Sequence, residues 1–177
     1  IEPFAGSGID GDPFIIDTGA KFDAIFGANA DSDFIEGNHV WAVTQDITLP
    51  ASYRPSQLVF KGTLTGWDLG TSSAKKVKID IGNATERTAY TYATNASGSS
   101  QNTVVGGVFN TIGVATVSDL ELHGSLTIGN IAAFAGGFIG STRGGDKPVV
   151  KNIDNYITVN SECTYTGGIF GHFYRGT

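Results

Sequence analysis

The chain has 177 residues, 25 of them glycine and none methionine, with a formal net charge of −6. Its 47 Ile, Val and Thr residues far outnumber the 22 Leu, Met, Glu, Gln and Lys. β-branched side chains are stiff at χ1 and pack well on a pleated surface, so composition excludes a helical bundle. Eleven basic residues against seventeen acidic ones argue against nucleic acid as a partner.

From the N-terminus, Asp12-Pro13-Phe14-Ile15-Ile16 reads as a turn followed by a short apolar strand. Thr18 is a helix N-cap ahead of Phe22, Ala24, Ile25 and Phe26, which predicts one short helix covering the first exposed coil end. Asn29, Asp31 and Asp33 alternate like calcium-loop ligands, but Phe34 stands where such a loop needs Gly and no Glu closes it, so the reading is a solvated turn. Asp10 and Asp12 around Gly11 are read the same way, as a turn before Pro13. Val40 to Val43 and Asp46 to Leu49 read as strands, Pro50 stopping the second. Leu58-Val59-Phe60 leads into Gly62-Thr63-Leu64-Thr65-Gly66, a strand-and-turn pair. Lys75, Lys76 and Lys78, the sole basic cluster, read as a solvated turn. Val77 to Ile81 alternates and predicts a half-exposed strand, and Thr94 to Thr103 predicts a flexible surface loop.

The second half repeats. Gly106-Gly107-Val108-Phe109-Asn110 returns as Gly136-Gly137-Phe138-Ile139-Gly140 and again as Gly167-Gly168-Ile169-Phe170-Gly171, at spacings of 30 and 31 residues. A second landmark recurs as well: Val117-Ser118-Asp119-Leu120 matches Val150-Lys151-Asn152-Ile153. One such unit has no way to bury its apolar face alone, so successive units must stack. Asp119 and Asn152 fit bends where a short polar side chain bonds local backbone. The expectation is an all-β fold, a right-handed parallel β-helix of roughly 30-residue coils with one short N-terminal helix. A β-sandwich is the alternative. Residues 1–177 form one solenoid domain, with irregular coils over 1–105 and the Gly-Gly repeats over 106–177. The chain begins at Ile1 and stops at Thr177 before the third unit completes, so it reads as part of a longer protein. The apolar ending, Ile169, Phe170 and Phe173, is then expected to be covered by a neighbouring molecule or by the insertion loops.

These landmarks resemble the GLUG-type repeat of bacterial cell-surface proteins, including regions of adhesins and of large secreted IgA-protease-like proteins. Asp46-Ile47-Thr48-Leu49 and Phe60-Lys61-Gly62-Thr63-Leu64 are similar to upstream motifs of the same group. Asn110 departs from it, replacing the closing Gly, as do the insertions at Thr71 to Ala74 and Ala84 to Thr103. The resemblance implies a β-helix on a cell surface and no particular reaction.

No metalloprotease helix, P-loop or nucleophile elbow is present. His39, His123 and His172 stand beside no nucleophile in sequence, and Cys163 reads as a small buried hydrophobe. Asp119, Glu121 and Asp154 recur near one repeat position, where an acidic pair across coils would be the start of a glycosidase site. Trp67, Tyr90 and Tyr92 are the candidate ligand-facing aromatics, since an aromatic face suits a sugar's C–H surface. Asn83 and Asn95 are the candidate N-glycan acceptors. No cofactor, metal or catalytic residue is assigned. No apolar run reaches the roughly twenty residues of a membrane helix, so no membrane insertion is expected within this segment. The functional expectation is a non-catalytic extracellular module, an adhesin segment or rigid spacer, whose partner is a glycan or protein on a cell surface or copies of itself. A self-assembling filament or sheath subunit and a carbohydrate-active enzyme are the alternatives.

Overall fold

A computed structural model of the chain describes residues 4–85, 87, 89–93 and 101–173. It is mostly strand, with two helices. The first strand, β1 (Phe14–Ile16), leads to helix α1 (Gly19–Phe26). The α1 N-cap is Thr18, whose hydroxyl accepts from Lys21 N. Phe22, Ile25 and Phe26, spaced at helical period, are buried. A second helix, α2 (Ser32–Glu36), stands where the sequence predicts only a solvated turn. Asp31 caps it by accepting from Asp33 N at 2.9 Å, Ile35 is buried, and the Phe34 ring meets Trp41 edge-on at 5.7 Å. Acids that resemble ion ligands in the sequence thus begin a helix anchored by its apolar residues.

The strands continue with β2 (Val40–Val43), β3 (Ile47–Thr48) and the long β4 (Val59–Asp68). The latter runs through the residues read as strand plus turn. Next come β5 (Ser73–Ala74), β6 (Val77–Ala84), β7 (Tyr90–Ala93) and β8 (Gln101–Gly106). The β8 strand replaces the last part of the predicted Thr94–Thr103 loop; residues 94–100 lie outside the described ones. The twenty-residue β9 (Phe109–Ile128) is followed by β10 (Phe134–Gly136), β11 (Ile139–Thr142) and β12 (Val149–Asn155). Last are β13 (Thr158–Ser161), β14 (Tyr165–Gly167) and β15 (Phe170–His172).

Pairing in the larger sheet is parallel throughout, apart from the small β4–β5 hairpin, and follows β1-β2-β4-β9-β11-β15. Along β9, strands β4 and β6 pair on one side and β11, β12 and β13 on the other. The repeats stack in register. Gly106, Gly136 and Gly167 are successive partners in the smaller sheet, and Phe109, Ile139 and Phe170 in the larger one. At the second landmark, Val117 pairs with Val150 and Leu120 with Ile153. Asp119 and Asn152 between them both adopt positive φ, 59° and 52°. Short polar side chains tolerate that left-handed region best after glycine.

Steric contact explains the glycine pairs. A Cβ on Gly106, Gly136 or Gly167 would lie 1.7–1.8 Å from the carbonyl oxygen three residues on. A Cβ on Gly107 or Gly137 would meet the backbone carbonyl of the next unit's Gly, at 2.0 and 2.3 Å. The first glycine admits its own turn, and the second admits the neighbour.

One core runs between the sheets and helices, from Ile16 and Trp41 through Leu64, Val117 and Leu120 to Phe138 and Ile157. The rings of α1 do more than cover the first strand. Phe26 packs edge-on against Trp41, Phe60 and Phe109, which stand on three successive strands. Tyr53 is fully buried and donates its hydroxyl to Val108 O at 2.7 Å. Asn110, the departure from the repeat, is buried as well. Its amide donates to Pro55 O and Ser56 O, and its Oδ1 accepts from Gly106 N. The polar side chain tethers the 55–56 segment where no parallel strand precedes β8. At the other end Ile169 and Phe170 are half-buried against the core, and Phe173 is 56% exposed with its ring 5.4 Å from Phe170. The described parts of the insertions do not cover this end: β5 pairs with β4, and β7 pairs antiparallel with β8.

Candidate ligand groove

Strand alternation sends Trp41, Leu64 and Val117 into the core and their neighbours to the outer face. There, Val40, Thr63, Thr116 and Val149 are successive register partners across β2, β4, β9 and β12. A second row, Ala42, Thr65, Ser118 and Lys151, runs beside the first. A groove of about 400 Å³ lies over these rows, bordered by Asp10, Pro13, Trp67, Ala74, Asp119 and Lys151. The volume falls within the usual range of ligand sites, roughly 300–1,000 Å³. Trp67 is at the wall because it follows Thr63 and Thr65 on the same face of β4, and the β4–β5 hairpin pairs it with Ala74. The turn around Gly11 lines the groove beside Val40, closed by Asp12 N donating to Ile9 O and fixed to β2 by Val40 N donating to Gly8 O.

Asp119 is the best-connected acid of the groove. Its Oδ1 accepts from Asn152 Nδ2 at 2.5 Å. Thr65 Oγ1 lies 3.3 Å from its Oδ2 and accepts in turn from the Ser118 hydroxyl. Burial alone would raise the carboxyl's pKa; hydrogen bonds from Ser118, Asn152 and Thr65, with the charge of Lys151, outweigh it and hold the group below its ordinary value. Asp119 is therefore a fixed anion and acceptor, poorly suited to donate a proton as a general acid.

The other sequence-flagged residues lie apart from the groove. Glu121 and Asp154 are direct register partners, as a cross-coil acidic pair requires. Each is engaged elsewhere: Glu121 with His123 at 2.5 Å and Asp154 with Lys76 at 2.7 Å. His39 lies 3.3 Å from Asp33 and edge-on to Phe14. His172 comes within 3.3 Å of Ser141, a nearness the sequence does not reveal. Ser141 is completely buried, however, and donates to Thr142 O, while the imidazole stacks on Phe134 and burial lowers its pKa. Lys76 belongs to its ion pair rather than to a solvated turn. Cys163 is half-buried, with Sγ 3.5 Å from Gly129 O. Asn83 is exposed on β6 and accepts the Ser125 hydroxyl. Tyr90 and Tyr92 are on β7, their side chains outside the described ones, and Asn95 lies outside the described residues. Among the described residues no group of three or more His, Cys, Asp or Glu is placed to hold a metal ion, and no helix is long and apolar enough to cross a membrane.

Trp67 is thus the flagged aromatic that the fold brings to a concavity. Thr63, Thr116 and Lys151 join it there unannounced as site residues by the sequence reading, together with Asp10 of the turn that the sequence predicts. The Thr-x-Thr-x-Trp alternation over 63–67 is the signal that carried this information. No known protein family, curated protein or solved structure matches the chain. The GLUG resemblance accordingly rests on its sequence motifs alone.

Proposed function

We propose that the chain is a right-handed parallel β-helix serving as a non-catalytic extracellular module, an adhesin segment or rigid spacer presenting a groove to a cell-surface ligand. The observation that carries this reading is the register: three Gly-Gly units and both copies of the second landmark align strand on strand, with the same close contact at the first glycine of every pair and a close approach between units at the second glycine of the first two. Parallel ladders of this kind favour a solenoid over a sandwich, whose sheets are antiparallel. Right-handedness follows from the general rule for parallel crossovers. The non-catalytic reading is supported by the acids themselves: Asp119 is held below the ordinary carboxyl value, Glu121 is hydrogen-bonded to His123, and Asp154 is paired with Lys76.

The test is a turnover screen against polysaccharides and peptides. No turnover is expected. Hydrolysis or elimination that disappears in Glu121→Gln or Asp154→Asn overturns the reading in favour of an enzyme. Self-assembly is a second reading, favoured by the position of β15 at the edge of its sheet beside exposed Phe173. A monomer by light scattering at every concentration would count against it.

A further inference from the structure

We propose that the groove lined by Trp67 and the Gly11 turn binds an uncharged oligosaccharide laid across the strands, a deepening that rests on the surface-module reading above. Three properties of the groove select this ligand. The first is extent. The lining residues Val40, Thr63, Thr116 and Lys151 stand on four successive strands, β2, β4, β9 and β12, which at about 4.8 Å per strand span roughly 14 Å. That suits a linear chain of rings better than a single small molecule. The second is surface type. The Trp67 indole, Pro13, Val40 and Ala74 give apolar contact, while the Thr63 and Thr116 hydroxyls punctuate the floor. A pyranose presents the same alternation, C–H faces for stacking and hydroxyl edges for hydrogen bonds.

The third property is charge. Asp10 and Asp119 face one ammonium, Lys151, so the lining is net negative and repels uronate or sulfate groups. The Asp119 carboxylate already accepts from Asn152, Thr65 and Ser118, which fixes it and leaves one further lone pair for a ligand hydroxyl. Such an acceptor needs no counter-charge from the ligand. The neighbouring polar groove of Thr44, Gln45, Asp46, Lys75 and Lys76 has no aromatic wall, and its Lys76 is committed to Asp154.

The whole chain is titrated calorimetrically with cellohexaose, laminarihexaose and mannohexaose, with hexagalacturonate and a glucosamine hexamer as charged comparators. At least one neutral hexaose is expected to bind with a Kd below about 1 mM. Trp67→Ala should weaken it roughly tenfold or more, Asp119→Asn severalfold, and Lys151→Ala little. Trp41, the second indole, is fully buried, so a ligand-dependent fluorescence change lost in Trp67→Phe locates binding in the groove. Thermal melting of each variant separates lost binding from lost folding. No binding by any neutral hexaose, preference for either charged hexamer, or binding unchanged in a folded Trp67→Ala protein overturns the proposal. Those results leave the turnover screen, and with it the module reading, untouched.

Discussion

At the residue scale, side chains that depart from the local pattern do so where backbone or charge demands it. Asn110 stands where the later units have Gly because it must satisfy the Gly106 N–H and two carbonyls at once. Asp119 combines a left-handed backbone with a carboxylate surrounded by donors. Because its folded pKa lies below the unfolded value near 3.8, it adds stability above that pH and loses it as pH falls through the lower, folded value. Asp23, whose pKa burial raises, works in the opposite direction, but it is common to wild type and variant and cancels in a difference. Asp119→Asn, which keeps a residue tolerant of positive φ, should therefore be less stable than wild type near pH 6, with the gap closing on acidification below about pH 4. Urea midpoints across that range measure it, and a gap that stays constant with pH would assign the loss to packing rather than charge.

At the element scale, the glycine pairs make separable predictions because their two members face different neighbours. Gly136→Ala drives a Cβ into Ile139 O, and Gly107→Ala drives one into Gly137 O of the adjoining unit, both against rigid backbone. Each should cost about 3 kcal/mol or more in denaturant unfolding, the upper range for overpacking. Gly168 has the same place in the motif, but among the described residues the nearest atom to its Cβ is the Asn155 amide nitrogen at 3.3 Å, at the end of a movable side chain. Gly168→Ala should stay within about 1 kcal/mol of wild type. Equal losses at all three would mean that the pairs answer to backbone conformation alone. This difference also bears on what the sequence disclosed. The first glycine of each pair, the Asp119 and Asn152 bends and the Thr18 cap were legible because each expresses a local backbone requirement in one or two residues, and the second glycine because its contact with the next unit recurs at the repeat spacing. Helix α2 was missed because its acids also fit a turn, and the packing of Phe34 on Trp41 is not local. Trp67 was legible as a residue type but not as a wall. Its partners come from the 10–13 turn and from β2, β4, β9 and β12, whose alignment passes over insertions that hide the period.

At the scale of the whole molecule, the ladders among the described residues join each strand only to those beside it in its sheet, so stability should vary along the ladder rather than be shared evenly. Strand β9 has ladders on both edges and places Val117, Leu120 and Leu122 completely inside the core. Opening it exposes that core and breaks pairing with five strands, which approaches global unfolding. By contrast, among the described residues β15 forms its ladder with β11 alone, and its three residues are half-buried. Outward-facing residues of β12 and β13 are also largely exposed, so a path of partial opening from that end buries little to hold it closed. Native-state hydrogen exchange should therefore be slowest for amides of β9 and at least a hundredfold faster for those of β15, with β12 and β13 between. If this end binds a second copy, the β15 amides should slow as concentration rises while β9 stays unchanged. A single exchange free energy across all these strands would instead make the stack one cooperative unit and overturn the neighbour-only account.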